Sequence, residues 1–277
     1  MFWLTVALFV ASFVVQVLLA AKAPKQKPGE LAPPRASEGD LIPVVFGTWK
    51  MAPNATWFGD VEPRPIRKAT GLFHKSTIGF NYYAGMMGLL CHGPVDAIVD
   101  LVFDNTRYVS QAGSQAQFTG VLSGLSPQYI VVPAAAPAFP IAQSADATRV
   151  HLNLPFLYGG QANSNPTGQG GVIGDVDYYF GTQAQTANGY LYFGTPELAP
   201  AFYGYCYFVA RHLYWGDTAQ LKAIHAIIRR CPSAVNGTGT ARVQSDPVAR
   251  ALGFPGDDAN GAEVVYECLT NTVWGKG

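Results

Sequence analysis

The sequence predicts a mainly β protein of the α+β class. The 277 residues include 14 Tyr, 16 Phe, 30 Gly and 20 Pro, while only 13% are charged. Several aromatic and β-branched runs are bounded by Gly, Pro or Asn, a pattern typical of strands joined by tight turns. Few charges together with many aromatic side chains also indicate surfaces that are buried against partners.

The segment 1–21 is predicted to be a hydrophobic helix, because residues 2–21 carry no charge. A helix of this length is about 30 Å long, which matches the hydrocarbon core of a bilayer. A cleaved export signal is the alternative, but the n-region consists only of Met1 and carries no Lys or Arg, and the cleavage site Ala21-Lys22-Ala23 is poor. The residues predicted to face a membrane or a channel lumen are Phe2, Trp3, Leu4, Phe9, Phe13, Val14, Val15, Leu18 and Leu19.

Residues 22–40 are predicted to be a Pro/Lys-rich linker. Their sequence, KAPKQKPGELAPPRASEGD, offers almost nothing to bury and favours an extended chain. If the preceding helix spans a membrane, Lys22, Lys25 and Lys27 favour a body on the cytoplasmic side.

A first β-rich domain is predicted for residues 41–150. The strand-like runs LIPVVFGTWK and ATWFGDV flank MAPN, which predicts a hairpin turn at 51–54. The run FNYYAGMMGLLCHG favours a strand. Apolar and polar residues alternate around 101–103, and Asp104-Asn105 then provides a turn. Residues 111–147 are interpreted as loop with short strands.

A second β-rich domain, inserted into the first, is predicted for residues 151–234. In RVHLNLPFLYGG, apolar Val150, Leu152 and Leu154 alternate with His151 and Asn153, as in a half-buried strand. The Gly-rich stretch that follows is interpreted as a hairpin loop.

Further strands are predicted in VIGDVDYYFG and YCYFVARHLYW, and YLYFG is another candidate. The run LKAIHAIIRRC fits a helix or a strand by its periodicity. The first domain is predicted to resume at 235–277 and to end in a helix that starts at Asn260 or Gly261.

Charge and cysteine usage exclude several classes of protein. Eighteen basic and eighteen acidic residues cancel, whereas a dedicated nucleic-acid binder normally carries a basic excess. The cysteines Cys91, Cys206, Cys231 and Cys268 form no C-x-x-C pair, which argues against zinc and thioredoxin-like sites. Four reduced thiols without an intramolecular disulfide are expected.

Asp175 and Asp177 are the strongest candidates for chemistry. They lie two apart on a predicted strand, so both carboxylates point to one face and could bind a metal or exchange protons. A solvated strand face is the favoured interpretation, since no other acidic residue or histidine lies in the same stretch.

Other potential motifs are weaker. Cys91 and His92 are adjacent on a strand and therefore point to opposite faces, which disfavours a nucleophile–base pair. The loop 159–171 lacks the G-K-[ST] ending of a phosphate loop, no G-x-S-x-G occurs, and the histidines follow no metal spacing. The sequence therefore predicts no catalytic, cofactor or metal site and no enzyme.

Taken in order, several stretches resemble the tail-tip hub proteins of siphophages, which are related to the tip attachment or host-specificity proteins of lambda-like phages. The resemblance covers most of residues 1–277, although 111–147 matches nothing and such hubs usually continue beyond the last stretch. Either the sequence is the ordered part of a longer protein, or it is a short hub. The stretches are IPVVFGTWKMAPNATWFGD, NYYAGMMGLLCHGPVDAIVDLVFDN, LPFLYGG with GGVIGDVDYYFG, PAFYGYCYFVARHLYWG with IIRRCP, and VVYECLTNTVWGKG.

The resemblance implies a homotrimer of β-barrel-like hub domains at the distal end of a virion tail. Such a hub closes the tail tube, adjoins the distal tail protein and connects to a fibre or spike protein. The tape-measure protein and the genomic DNA would pass through it in transit. The hydrophobic helix would then be stored against neighbouring helices or the tape-measure protein and released into the host inner membrane during ejection. The alternative for the helix is a structural plug.

Two other classes remain open at this point. One is a membrane-anchored bacterial protein with a β-rich body, suggested by the uncharged N-terminal run. The other is an enzyme that uses Asp175 and Asp177.

Overall fold

The computed structural model describes residues 27–31, 40–69, 75–104, 106–107, 129–132, 142–143, 148–158, 172–191, 200–231, 242–243, 258–259 and 261–276. The predicted hydrophobic helix, with its site residues from Phe2 to Leu19, lies outside this part of the chain. None of the helices among the described residues combines the length and apolar character that crossing a bilayer demands.

The chain divides into two compact units. Unit 1 comprises Met1–Pro28 and Pro65–Phe80, and unit 2 comprises Gly29–Arg64 and Asn81–Gly277. Of unit 1, the structure describes residues 27, 28, 65–69 and 75–80. Unit 2 holds the remaining elements and the candidate site.

The structure is mainly β, as the sequence predicts. The strands in chain order are β1 (Gly47–Met51), β2 (Asn54–Ala69), β3 (Lys75–His92), β4 (Ala97–Phe103), β5 (Thr106–Arg107), β6 (Tyr129–Val132), β7 (Ala142–Gln143), β8 (Arg149–Tyr158), β9 (Val172–Tyr179), β10 (Tyr205–Gly216), β11 (Ile224–Arg230), β12 (Arg242–Val243) and β13 (Asp258–Ala259). A 3₁₀ turn spans Gly189–Leu191, and the helix α1 spans Gly261–Thr270.

Sheet one has the strand order β1-β11-β4-β5, and β7 also pairs with β4. All seven residues of β4 are buried, including Asp100, whose side chain accepts a hydrogen bond of 2.8 Å from the Leu101 amide. The alternation of apolar and polar residues around 101–103 therefore does not produce a solvated face. A strand buried on both faces needs no polar face, and Asp100 is tolerated because it is hydrogen-bonded.

Sheet two has the strand order β2-β3-β10-β9-β8-β6. The pairs β3–β10, β10–β9 and β9–β8 are antiparallel, and the pair β6–β8 is parallel. Its largest buried side chains are aromatic. Tyr179 and Tyr207 stack with ring centroids 4.4 Å apart, and Met87 and Val209 belong to the same cluster. Both sheets draw strands from 41–150 and from 151–234.

The hairpin predicted at 51–54 is wrong. β1 pairs with β11 in sheet one, whereas β2 pairs with β3 in sheet two. Only Ala52 and Pro53 separate the two strands. A two-residue hairpin of type I′ needs positive φ at both central residues, and proline is locked at negative φ. The chain therefore crosses from one sheet to the other at this point.

Other local predictions are confirmed. Asp104 adopts the left-handed conformation, with φ of 53°, in the turn from β4 to β5. The ambiguous run LKAIHAIIRRC forms the strand β11, whose position between β1 and β4 is set by tertiary pairing. The C-terminal helix α1 begins at Gly261, as expected. The candidate strand YLYFG instead begins within the 3₁₀ turn.

Arg230 at the end of β11 holds α1 against sheet one. This arginine is only 5% exposed, and it pairs with Glu267 of α1. Its guanidinium also lies over the ring of Phe46 at 5.2 Å and the ring of Trp274 at 5.4 Å. One buried cation therefore ties β11, the segment before β1 and the C-terminal helix together.

Part of the predicted linker, from Gly29 onward, belongs to unit 2. Leu31 is buried, and the Gly29 amide donates a hydrogen bond of 2.7 Å to the hydroxyl of Tyr82 on β3. The expectation that this stretch buries almost nothing therefore fails at Leu31.

Gly88 on β3 provides a test of the packing in sheet two. A Cβ at this position would lie 2.5 Å from a ring atom of Phe208 and 2.6 Å from Cβ of Pro53. We expect Gly88→Ala to lower the free energy of unfolding by about 1–3 kcal/mol, because the close-packed neighbours must shift. Urea unfolding measures this cost. Gly261→Ala is the matched control, since a Cβ there meets nothing within 4 Å; equal costs for the two variants would contradict the packing described.

Candidate functional site

The candidate site is built around β9, whose neighbours are β8 and β10. Asp177 lies opposite His151 on β8 and Val209 on β10, and Asp175 lies opposite Asn153 and Arg211. The two carboxylates share one face of β9, as predicted. The expected solvated face is wrong, however, because Asp177 is 0% exposed.

Three side chains from three different parts of the chain donate to Asp177. His151 Nδ1 lies 2.7 Å from Oδ1, and Asn188 Nδ2 lies 2.8 Å from Oδ2. Arg211 also forms an ion pair with Oδ2. We call Asp175, Asp177, His151, Asn188 and Arg211 the Asp177 cluster. A buried carboxylate is tolerated only when charge and hydrogen bonds compensate it, and this cluster supplies both.

His151 is held between the two aspartates. Its side chain is 5% exposed, and Nε2 lies 3.4 Å from Asp175 Oδ1. Burial lowers the pKa of His151, but hydrogen bonds to Asp175 and Asp177 outweigh burial, so the net direction is upward. The hydrogen bond from His151 lowers the pKa of Asp175, which also accepts a bond of 2.7 Å from Asn153. When His151 is protonated, the positive charges of His151 and Arg211 balance the negative charges of Asp175 and Asp177.

A bulge in β10 presents Arg211 and His212 side by side. The pairing of β10 with β3 shifts between Ala210 and Leu213, and the pairing with β9 shifts between Arg211 and Tyr214. His212 has a positive φ of 42°, a conformation that non-glycine residues rarely adopt. The bulge thus breaks the strict alternation of the strand, and successive side chains reach two different sets of carboxylates.

The second set of carboxylates belongs to β2. His212 Nδ1 lies 2.7 Å from Asp60 Oδ2, and Nε2 lies 3.1 Å from Glu62 Oε2. Glu62 also accepts two bonds of 2.8 Å from Arg64, and the bond to Arg64 lowers the pKa of Glu62. The His212 ring stacks on Tyr83 at 5.3 Å. We call Asp60, Glu62 and His212 the His212 cluster; its members are partly exposed.

Asn188 and Tyr190 connect the two clusters. Asn188 Oδ1 accepts a bond of 2.9 Å from the Tyr190 amide, while its Nδ2 donates to Asp177. The Tyr190 hydroxyl donates to Asp60 at 2.6 Å and accepts from the His212 amide at 2.9 Å. Burial, followed by the bond to Asp60, raises the pKa of Tyr190. Hydrogen bonds therefore run without a break from β8 and β9 through the 3₁₀ turn to β2.

Gln185 fixes the loop that carries Asn188. Its Oε1 accepts from the Gly181 amide at 2.9 Å, and its Nε2 donates to the carbonyls of Ala201 and Phe202 at 2.8 and 2.7 Å. A buried amide with partners on both sides sets the loop conformation. Asn188 reaches Asp177 because this loop is held in place.

Cys91 and His92 lie in different surroundings. Cys91 is fully buried, whereas His92 is partly exposed and its ring packs against Tyr205 with centroids 5.0 Å apart. Burial, followed by the charge of Arg230, lowers the pKa of His92. This arrangement agrees with the opposite faces expected for adjacent strand residues.

The side chains of the Asp177 cluster are directed at one another. Both ring nitrogens of His151 face carboxylates. Within the part of the chain that the structure describes, no group of three or more His, Cys, Asp or Glu side chains is arranged to hold a metal ion. What the geometry supports is a polar joint between strands.

Sequence reasoning missed the residues that connect to Asp175 and Asp177 in this network, among them His151, Asn188, Arg211 and Tyr190. A usable signal existed in part. H-x-N on β8 and D-x-D on β9 place polar pairs at the same two-residue spacing, and an antiparallel register brings such pairs face to face. The contributions of Arg211 and Asn188 depend on a bulge and a loop, which leave no comparable pattern.

No protein-family model matches the chain, and no curated protein matches it either.

We expect the Asp177 cluster to make stability depend on pH in two directions. Because the pKa of His151 is raised from 6.5, its contribution is complete below about pH 6.5 and is lost as pH rises through the folded-state pKa. Because the pKa of Asp175 is lowered from 3.8, its contribution is present above that value and is lost as pH falls through the folded-state pKa. Urea unfolding at a series of pH values measures both effects.

The control for this pH dependence is His151→Gln. Burial lowers the pKa values of His92 and His225, so their effect on the pH dependence of stability has the opposite sign. Both residues are present in wild type and in His151→Gln, so their effect cancels when the two proteins are compared. The difference between wild type and His151→Gln should therefore shrink as the pH rises above 6.5. A difference that is constant from pH 5 to 9 would refute the assignment.

We also expect Asp177→Asn to be far more damaging than Asp175→Asn. Removing the buried charge leaves Arg211 and His151 uncompensated and should cost about 3 kcal/mol of unfolding free energy. Asp175 has a side chain that is 43% exposed, so its replacement should cost under about 1 kcal/mol. Chemical denaturation compares the two variants. Similar costs for the two variants would contradict the conclusion that the cluster compensates for the buried charge of Asp177.

Proposed function

We propose that this chain is a structural hub at the distal tip of a siphophage tail. The observation that carries the proposal is the ordered series of stretches that resemble such hubs. Those stretches include most of β3, β4, β9 and β10, so the resemblance covers strands that form the core of both sheets. The proposed arrangement is a homotrimer of β-barrel-like domains that closes the tail tube and adjoins the distal tail protein.

The character of the site supports a structural role. The buried charges of the Asp177 cluster contact one another, and they connect β8, β9, β10 and the 3₁₀ turn. Buried ionic groups of this kind can fix one register among several. A hub that must hold its shape under the load of a tail benefits from such a constraint.

Exposed apolar residues supply the surface for assembly. Val265 and Leu269 on α1 are 59% and 56% exposed, and Val273 just beyond the helix is 78% exposed. On β1, Trp49 is 59% exposed, and its indole donates to the Phe46 carbonyl at 2.7 Å. Since the Phe46 ring in turn contacts Trp274, these features lie on neighbouring elements. Clusters of exposed apolar side chains are typical of contacts with other chains.

The remaining partners follow from the same proposal. A fibre or spike protein would attach at the tip, and the tape-measure protein and genomic DNA would pass through the channel in transit. The balanced charge of the chain is suited to a conduit, because a strongly basic wall would retain phosphates. The segment 2–21 would enter the host inner membrane during ejection.

A membrane-anchored bacterial β-rich protein is the second candidate, favoured by the uncharged run at 2–21. Detection of the chain in purified virions distinguishes the two. The hub proposal expects three copies at the distal end of each tail in electron micrographs. Six copies, or copies along the tube, would overturn it.

The helix surface gives a direct test of assembly. We expect Val265→Asp to convert trimers to folded monomers, because a charge on the apolar surface of α1 opposes contact with another chain. Light scattering reports the mass and circular dichroism reports the fold. Val61→Asp is the matched control, since Val61 is 46% exposed on β2. Trimers that persist in Val265→Asp would exclude α1 from the interface.

The N-terminal segment is tested separately. We expect phage carrying Val14→Asp and Val15→Asp to assemble tails and adsorb normally but to fail in DNA delivery, because charges oppose insertion into a bilayer. Normal infection would reject the membrane role. Failure of tail assembly would favour the plug alternative.

A further inference from the structure

Two cysteines face each other on β3 and β10, which are neighbouring inner strands of sheet two. Cys91 on β3 lies directly opposite Cys206 on β10 in the antiparallel register, and both are 0% exposed. They are free thiols in the structure. The pairing brings together residues from distant parts of the chain, so the sequence spacing of the cysteines does not reveal it.

The geometry suits a disulfide bond. Directly opposite residues in an antiparallel pair have Cα atoms about 4.5–5.5 Å apart, and disulfides accept about 4.4–6.8 Å. Opposite residues also point to the same face. The neighbouring Cys91 thiol, followed by burial, raises the pKa of the Cys206 thiol.

We propose that Cys91 and Cys206 are a dithiol pair that closes to a cross-strand disulfide in oxidising surroundings. A small-molecule disulfide such as oxidised glutathione is the oxidant. One cysteine thiolate attacks the oxidant and releases one glutathione thiol. The second cysteine then attacks the mixed disulfide, releases the other glutathione and leaves the Sγ–Sγ bond. Two protein thiols are oxidised, one disulfide is reduced, and the two protons end on the released glutathiones.

The position of the pair sets the rate of this reaction. The closed sheet buries both sulfurs, and the raised pKa of Cys206 makes its thiol a poor nucleophile. The pair is one step from the strand ends, however. His92 and Tyr205 form the last pair, and Gly93 and Gly204 follow, joined by a backbone bond of 2.7 Å. Oxidation therefore requires the end of β3 and β10 to open, and it should be slow but should occur without global unfolding.

The bond would link β3 and β10 covalently near the ends of these two strands. It would close a loop of roughly 115 residues and so restrict the unfolded chain. The Asp177 cluster joins β8, β9 and β10 by charge, and the disulfide would join β3 to β10 covalently. This inference does not depend on the proposed function.

The test uses the full chain with Cys231→Ser and Cys268→Ser, which leaves only the pair. The folded protein is incubated with oxidised glutathione at pH 8 and then digested without reduction. Mass spectrometry should find a peptide that links Cys91 to Cys206, and the unfolding midpoint should rise by roughly 10 °C over the reduced form.

The matched control adds Cys91→Ala to the same background. This variant should form no internal link and show no increase in the unfolding midpoint. The proposal is overturned if the folded two-cysteine protein keeps both thiols, or if each thiol carries its own glutathione. A link that forms only in denaturant, or one that leaves the midpoint unchanged, would also overturn it.

Discussion

The burial of the Asp177 carboxylate is the constraint on which the rest of sheet two depends. An uncompensated buried charge lowers the free energy of unfolding by several kcal/mol. Hydrogen-bond donors from several elements must therefore contact this carboxylate. His151 comes from β8, Arg211 from a bulge in β10 and Asn188 from the loop that precedes the 3₁₀ turn. The register of three strands and the conformation of that loop are therefore set together.

Much of the fold is predictable from the sequence because it depends on local preferences. The aromatic and β-branched runs form β3, β9 and β10, and the C-terminal helix begins at Gly261, one of the two predicted positions. Even the shared face of Asp175 and Asp177 follows from the alternation of a strand. These features need only neighbouring residues, so a single sequence is enough to find them.

The partners of those residues are not predictable in the same way. His151 lies 26 positions from Asp177 and Arg211 lies 34 positions away, so their contact exists only once the strand order is known. The bulge that orients Arg211 and the positive φ of His212 are tertiary effects. The false hairpin at 51–54 has the same origin, because the sequence does not show that β1 pairs with β11 rather than β2.

The polar network is interpreted as a joint that fixes the register of β8, β9 and β10. A double-mutant cycle between Asp177→Asn and His151→Gln, read as unfolding free energy at pH 6, tests this claim most directly. We expect a coupling energy above about 1 kcal/mol, because His151 and Asp177 each compensate for the buried charge of the other. Costs that simply add, within about 0.5 kcal/mol, would contradict it.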